Sequence, residues 1–229
     1  MRGKITAFVP IKLENERVPN KNISCFFDGK PLIYFILNSL LQVKEENLID
    51  EIYVFCSDKK IKKYIPKNKG IYSLKRPKYL DSQTATTADI IKEFSNIIKS
   101  DIYIMAFATS PFLKKNSIIK SINSILYDNY DSSFTIKQLH EFLWDNEKPI
   151  NYSLSHVPRS QDLPFICIET TGLYVFKKEV FEKYNARIGI NPYLCEVSSI
   201  ESIDINYPDD FEIANAVYKY MVEKGKFNE

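Results

Sequence analysis

Ile5-Thr6-Ala7-Phe8-Val9-Pro10-Ile11 runs without a break into Lys12-Leu13-Glu14-Asn15-Glu16-Arg17-Val18-Pro19-Asn20-Lys21-Asn22-Ile23. A compact apolar strand that ends in a charged loop is a natural opening for an α/β fold, because open parallel sheets bind ligands beyond the carboxyl ends of their strands. Lys12, Arg17 and Lys21 all stand in that loop. Lysine offers a point charge and arginine a forked donor, and both suit phosphate oxygens. A solvated surface loop has a similar composition, so the loop alone leaves both readings open. It contains no glycine, and the whole chain has six among 229 residues, where an average protein carries about 7%. The glycine-rich phosphate loops of P-loop and dinucleotide-binding proteins are thereby excluded, since they need clustered glycines for tight turns and close backbone approach. Phosphate bound here would be held mostly by side chains and helix ends.

Working outward, strand and helix patterns alternate. Helical spacing covers Pro31–Val43, Lys59–Ile65, Thr86–Ile98 and Lys115–Leu126. Apolar or β-branched runs at Glu51–Cys56, Ile71–Leu74 and Asp101–Ala108 predict strands. This alternation implies an α/β fold with a mainly parallel sheet covered on both faces. In the second half, Asp131–Lys137 and Gly172–Phe176 predict strands around a long irregular segment, 138–171, of the kind that is usually functional or interfacial. Ser202–Ile205 predicts a last strand and Asp209–Val222 a closing helix, with Pro208 near its start and acids in its first turn. The length suits one domain, residues 1–229.

Net charge is +2, which argues against a chain whose task is to coat nucleic acid. Residues 59–78 hold nine Lys or Arg and no acid; this is either a solvated face or a rim that attracts anions. Cys25, Cys56, Cys167 and Cys195 form no C-x-x-C pair, so zinc ribbons and thioredoxin-like motifs are not expected, and reduced cysteines in a cytoplasmic protein are. The longest apolar run, Ile102–Ala108, is too short to span a bilayer. The N-terminal stretch reads as a first strand rather than a signal peptide, and no membrane partner is expected.

The strand and loop, with their P-x-K/R-x-x-S/N-x-R/G-x-P-x-K-N pattern, begin an ordered set. It continues through Cys56-Ser57-Asp58, Arg76-Pro77-x-x-Leu80, Thr109-Ser110-Pro111, Asp131-Ser132 and Pro158-Arg159-x-Gln161-Asp162-Leu163. Gly172-Leu173-Tyr174, Ser202-Ile203-Asp204-Ile205-Asn206 and 209–214 complete it. In this order, over nearly the whole chain, the set resembles the acylneuraminate (CMP-sialic acid) cytidylyltransferases. The resemblance implies a Rossmann-like three-layer αβα sandwich of the nucleotide-diphospho-sugar transferase type. It implies transfer of CMP from CTP to the anomeric hydroxyl of an acidic 2-keto-3-deoxy sugar, with release of pyrophosphate and with Mg²⁺ as cofactor. A homodimer is implied too, with 138–171 as a dimerisation and sugar-binding insertion.

Residue by residue, the resemblance places Pro10, Lys12, Asn22, Arg76, Ala85 and Thr87 at the nucleotide. Lys12, Arg17, Lys21 and Asp204 carry the transfer, with Lys21 at the α-phosphate. Asp204 and Asn206 would hold the metal. Thr109, Ser110, Arg159, Gln161, Glu169, Thr171 and Tyr174 would line the acceptor pocket. Each has a plainer reading beside it. Arg76 belongs to the basic run, Thr87 suits a helix start, Asp204 a strand end, and Arg159 an interface salt bridge. The two histidines, His140 and His156, match no catalytic position and read as surface or interface residues. Four residues depart from the pattern: Lys12 stands where an arginine is usual, Glu16 where a lysine is, Phe107 where many relatives have glutamine, and Asn206 where the second aspartate of Asp-x-Asp belongs. These leave room for another acceptor such as a 3-deoxy-octulosonate, or for a catalytically impaired nucleotide-binding homologue.

Overall fold

The computed structural model describes residues 2–67 and 69–227. A seven-stranded sheet runs in the order β3-β2-β1-β4-β8-β5-β9. Its strands are β1 (Ile5–Ile11), β2 (Glu51–Cys56), β3 (Ile71–Lys75), β4 (Ile102–Ala106), β5 (Ser132–Leu139), β8 (Ile166–Lys177) and β9 (Pro192–Glu196). A two-stranded ribbon, β6 (Trp144–Asp145) and β7 (Lys148–Pro149), stands apart from it. The helices are α1 (Leu32–Glu45), α2 (Thr87–Ile97), α3 (Lys115–Tyr127), α4 (Lys178–Tyr184) and α5 (Pro208–Glu223). Strands β1 to β4 are parallel, β8 is antiparallel to both β4 and β5, and β9 pairs parallel with β5. The expected three layers and mainly parallel sheet are therefore present.

The two faces of the sheet bury different side chains, because neighbours along a strand point to opposite sides. Ile5, Ala7, Val9 and Ile11 join Ile52, Val54, Ile104 and Val175 beneath α1 and α3 in an aliphatic layer. Phe8, Phe55, Tyr103, Met105, Tyr174 and Phe176 face α2. That helix buries only Ile91 and Phe94, so large rings fill the space, and Phe8 stacks on Phe94 with centroids 4.2 Å apart. A third cluster joins Leu32 and Phe35 of α1 to Ala214, Tyr218 and Met221 of α5, with Ile205 enclosed.

Ser202–Ile205 is not a strand. Ile203 and Ile205 alternate with polar residues, but the buried Ile205 packs under α1 and α5 and its N–H donates to the Thr109 carbonyl (2.9 Å). Its backbone is thus satisfied without a ladder. The last strand is instead β9, with Pro192 at its first residue, where a missing N–H is tolerated. The strand expected at Gly172–Phe176 begins earlier, at Ile166.

Candidate functional site

The loop after β1 closes on itself without glycine. Asn20 takes the left-handed conformation (φ 56°), Lys21–Ile23 forms a 3₁₀ turn, and the Asn22 side-chain amide donates to the Lys12 carbonyl at 2.8 Å. Asparagine tolerates this region because its short polar side chain bonds locally. Asn47, Asn129, Asn146 and Asn185 do the same elsewhere. Asn22 is thus placed as a brace of the loop. Pro10 lies beyond Phe8–Met105, the final β1–β4 pair.

The loop brings Lys21 to the Asp204–Ile205 segment. Lys21 is buried, and its ammonium donates to the Ile205 carbonyl. Burial pulls its pKa below the ordinary value, while neighbouring Asp204 opposes that shift. Arg17 adds a second cation and lies over the Tyr207 ring, 5.1 Å from its centroid. The segment bearing Asp204 is fixed from several sides. Ile205 is buried and bonded to Thr109, and the Asp210 carboxylate accepts from the Asn206 and Tyr207 N–H groups, both at 2.8 Å.

Asp204 uses its two oxygens differently. Oδ2 accepts from the Thr171 hydroxyl (3.1 Å) and from the Asn206 amide (2.6 Å). Oδ1 is buried and has no partner among the described residues. A carboxylate oxygen out of water and unpaired is costly unless a ligand or ion meets it. The Asn206 nitrogen faces Asp204, as it must, because an amide oxygen at that distance from a carboxylate would repel it. Thr171 sits at φ 56°, and it is the one residue other than asparagine or glycine described with a left-handed backbone. For a β-branched side chain this is strained geometry, of a kind found at functional sites. Next to it, Gly172 lies so close to Ser110 that an added Cβ would come within 2.8 Å of Oγ.

The proposed base-binding residues lie across the loop. Arg76 is buried and ion-paired with Asp81, which also accepts from Ser57. The Arg76 Nε is buried without a partner among the described residues. Thr86, not Thr87, caps α2, through a capping box with Asp89. Hollows of about 300 and 370 Å³ open between the loop and the 57–59 and 78–83 segments, and Lys12, Glu14 and Asp81 are among their lining. Glu16 accepts from Gln83 at 2.9 Å, so the reversed charge ties the loop to this wall.

On the opposite side, the Tyr174 hydroxyl donates to Glu169, and the Phe107 ring meets Tyr174 edge-on at 6.2 Å. Burial and the Glu169 carboxylate push the Tyr174 pKa up. Sequence reasoning missed Arg187, which touches this pair and Thr87 alike. Its Nη2 reaches the Tyr174 hydroxyl (2.8 Å) and Glu169 (3.2 Å), and its Nη1 reaches Thr87 Oγ1 (3.2 Å). The signal was present as a helix pattern over 178–184, a stop at Asn185, and a glycine two residues after Arg187. Arg159 and Gln161 are not brought to this cluster. Both are exposed on the arm between β5 and β8, where Arg159 pairs with Asp162 at 2.7 Å. His140 and His156 are exposed on the same arm.

Among the described residues no group of three or more His, Cys, Asp or Glu side chains could hold a metal ion. A magnesium site shared with substrate phosphates does not need one, since it uses one or two protein carboxylates. Asp204 Oδ1 fits that role. None of the described helices is long and apolar enough to cross a membrane.

Comparison with known proteins agrees with this geometry. The chain is 23% identical over 232 residues to an N-acylneuraminate cytidylyltransferase of Streptococcus agalactiae, covering 96% of this chain and 55% of that protein. It is 25% identical over 220 residues to a Helicobacter pylori protein, covering 92% of this chain and 42% of that one. That protein is named as a pseudaminic acid cytidylyltransferase and UDP-2,4-diacetamido-2,4,6-trideoxy-β-L-altropyranose hydrolase. The chain thus spans about half the length of these curated relatives. In fold it is similar to CMP:2-keto-3-deoxy-manno-octonic acid synthetase solved with CTP, with a TM-score of 0.68, 14% identity and coverage of 95% of this chain and 99% of that one. A family model described as cytidylyltransferase matches residues 6–191, and with strand, charged loop and sheet order in accord the chain belongs to the cytidylyltransferase family.

Proposed function

We propose that the chain transfers CMP from CTP to the anomeric hydroxyl of an acidic 2-keto-3-deoxy sugar and releases pyrophosphate. The hydroxyl oxygen forms a bond to the α-phosphorus, the bond from that phosphorus to the bridging oxygen breaks, pyrophosphate leaves with the electron pair, and the hydroxyl proton passes to solvent. The observation that carries this reading is that buried Lys21, on a cationic loop, lies near enough to Asp204 to feel its charge, while Asp204 Oδ1 is buried and unpaired among the described residues. Such transfers need positioning and charge neutralisation more than covalent chemistry. Lys21 would neutralise charge on the α-phosphate, and Lys12 and Arg17 would receive the departing phosphates. Arg76 has a spare N–H of the right polarity for the cytosine carbonyl oxygen.

Mg²⁺ is the cofactor in this reading, held by Asp204, and when bound it would shield the phosphates and lower the pKa of the attacking hydroxyl. Asn206 then acts by holding Asp204 in place. The names of the matched relatives support an acidic sugar, and they favour the sialic acid kind over an octulosonate. The acceptor region supports a homodimer. Phe142, Trp144, Leu154, Val157 and Phe165 on the 140–165 arm are exposed, a patch that a second copy would cover. Arg159 and Gln161 would then reach the partner's acceptor pocket, where Arg159 could meet a sugar carboxylate. Use of CTP and four free cysteines suit the cytoplasm. The test is a pyrophosphate-release screen with CTP and Mg²⁺ against a panel of 2-keto-3-deoxy sugar acids. Turnover with at least one acid is expected, and silence across the panel overturns the reading.

A further inference from the structure

Arg187 joins two walls of the cleft by polar contacts. On the acceptor side its guanidinium lies over the Tyr174 ring, with Cζ 3.6 Å from the centroid, and pairs with Glu169 at 3.2 Å. On the nucleotide side it donates to Thr87, the first helical residue of α2. The loop that presents it is fixed at both ends. Asn185 ends α4 in the left-handed conformation. The Gly189 N–H donates to Ser132 Oγ (2.8 Å), and Asp131 Oδ2 accepts from the Ile190 N–H (2.8 Å) and the Asn191 N–H (3.0 Å). Gly189 is required there, because an added Cβ would stand 2.3 Å from the Asp131 carboxylate.

We propose that Arg187 is a positioning residue that couples the acceptor wall, Glu169 and Tyr174, to the nucleotide helix at Thr87. This rests on the function proposed above. Only arginine has a planar fork able to stack on a ring while donating in two directions. Both Glu169 contacts fall on Oε1, so Oε2 is left to receive a hydroxyl or amide N–H of the acceptor. Bound nucleotide at α2 and bound acceptor at Glu169 thereby share one rigid connection.

The experiment compares wild type with Arg187→Met, Arg187→Lys, Thr87→Val and the Thr87→Val/Arg187→Met double variant. CTP binding is read by calorimetry with Mg²⁺, and acceptor KM and kcat by pyrophosphate release with N-acetylneuraminate, or with whichever acid the screen identifies. Arg187→Met should raise the acceptor KM about tenfold, the size of one lost hydrogen bond to a charged group. Its CTP affinity should change less, and its unfolding midpoint should stay close to wild type. Arg187→Lys keeps the charge without the fork and should fall between. Thr87→Val should also raise the acceptor KM, though it does not touch that wall. Its effect should vanish in the Arg187→Met background, because coupled residues are non-additive. An unchanged acceptor KM in Arg187→Met, or independent effects of the two substitutions, overturns the coupling. If Arg187→Met does not fold, Thr87→Val and Arg187→Lys decide the matter. Wild type that binds CTP and turns over while the variants match it refutes Arg187 alone; wild type that does not bind CTP refutes the functional reading and this one with it.

Discussion

Lys21 carries a cost in stability that the proposed transfer chemistry would account for. Its ammonium is withdrawn from water and compensated by one carbonyl and a nearby carboxylate. A lysine whose pKa is lower folded than unfolded disfavours folding while both states are charged. That penalty fades as pH rises through the folded pKa toward 10.5, so this group's contribution makes stability increase with pH over that window. Lys21→Met should therefore fold with stability within about 1 kcal/mol of wild type, as read by urea denaturation. Its pyrophosphate release should fall about a hundredfold or more, the usual loss when a group that stabilises transition-state charge is removed. Asp81 is the contrasting case. It is the ion-pair partner of Arg76, which is only 3% exposed. Asp81→Ala leaves that charge buried and should cost about 3 kcal/mol in the same measurement.

At the scale of elements, α2 carries both the capping Thr86 and the Arg187 contact at Thr87. Its capping box, Thr86 with Asp89, fixes where the helix starts and so where Thr87 points. Asp89 is held below the usual carboxylate range by its bonds to Thr86. Thr86→Ala should cost about 1 kcal/mol of stability and should weaken CTP binding in calorimetry, because the first turn loses its anchor. The helix was legible in its amphipathic spacing at Ile91 and Phe94. Which of two adjacent threonines is the cap was not, since both have the same chemistry and only the path of the chain into the first turn distinguishes them. The Asp204 segment misled for a related reason. Alternation of apolar and polar residues records alternate burial, and a strand is only one way to achieve it. Here the apolar residues insert between α1 and α5, so Asp204 stands on an irregular stretch that can be braced from Thr109, Thr171 and Asp210.

Across the whole molecule, the arm between β5 and β8 is where the isolated chain looks unfinished. Leu154 and Val157 are 65% and 59% exposed. If a second copy covers them, Leu154→Asp with Val157→Asp should convert a dimer to a monomer in light scattering while the sheet signal in circular dichroism persists. A wild-type monomer at micromolar concentration refutes the dimer. The sequence by itself determined the class of fold, since strand and helix periods alternate and a strand buried on both faces reads as an unbroken apolar run. It also excluded the glycine-rich phosphate loops, because six glycines in 229 residues leave none clustered for their tight turns. Only the tertiary structure decided that β8 runs against its neighbours, that Asp204 keeps one oxygen unpaired among the described residues, and that Arg187 meets Thr87, 100 residues away in sequence. Those features are contacts between distant segments, and the local periodicity of a sequence records how each segment is buried, not which partner buries it.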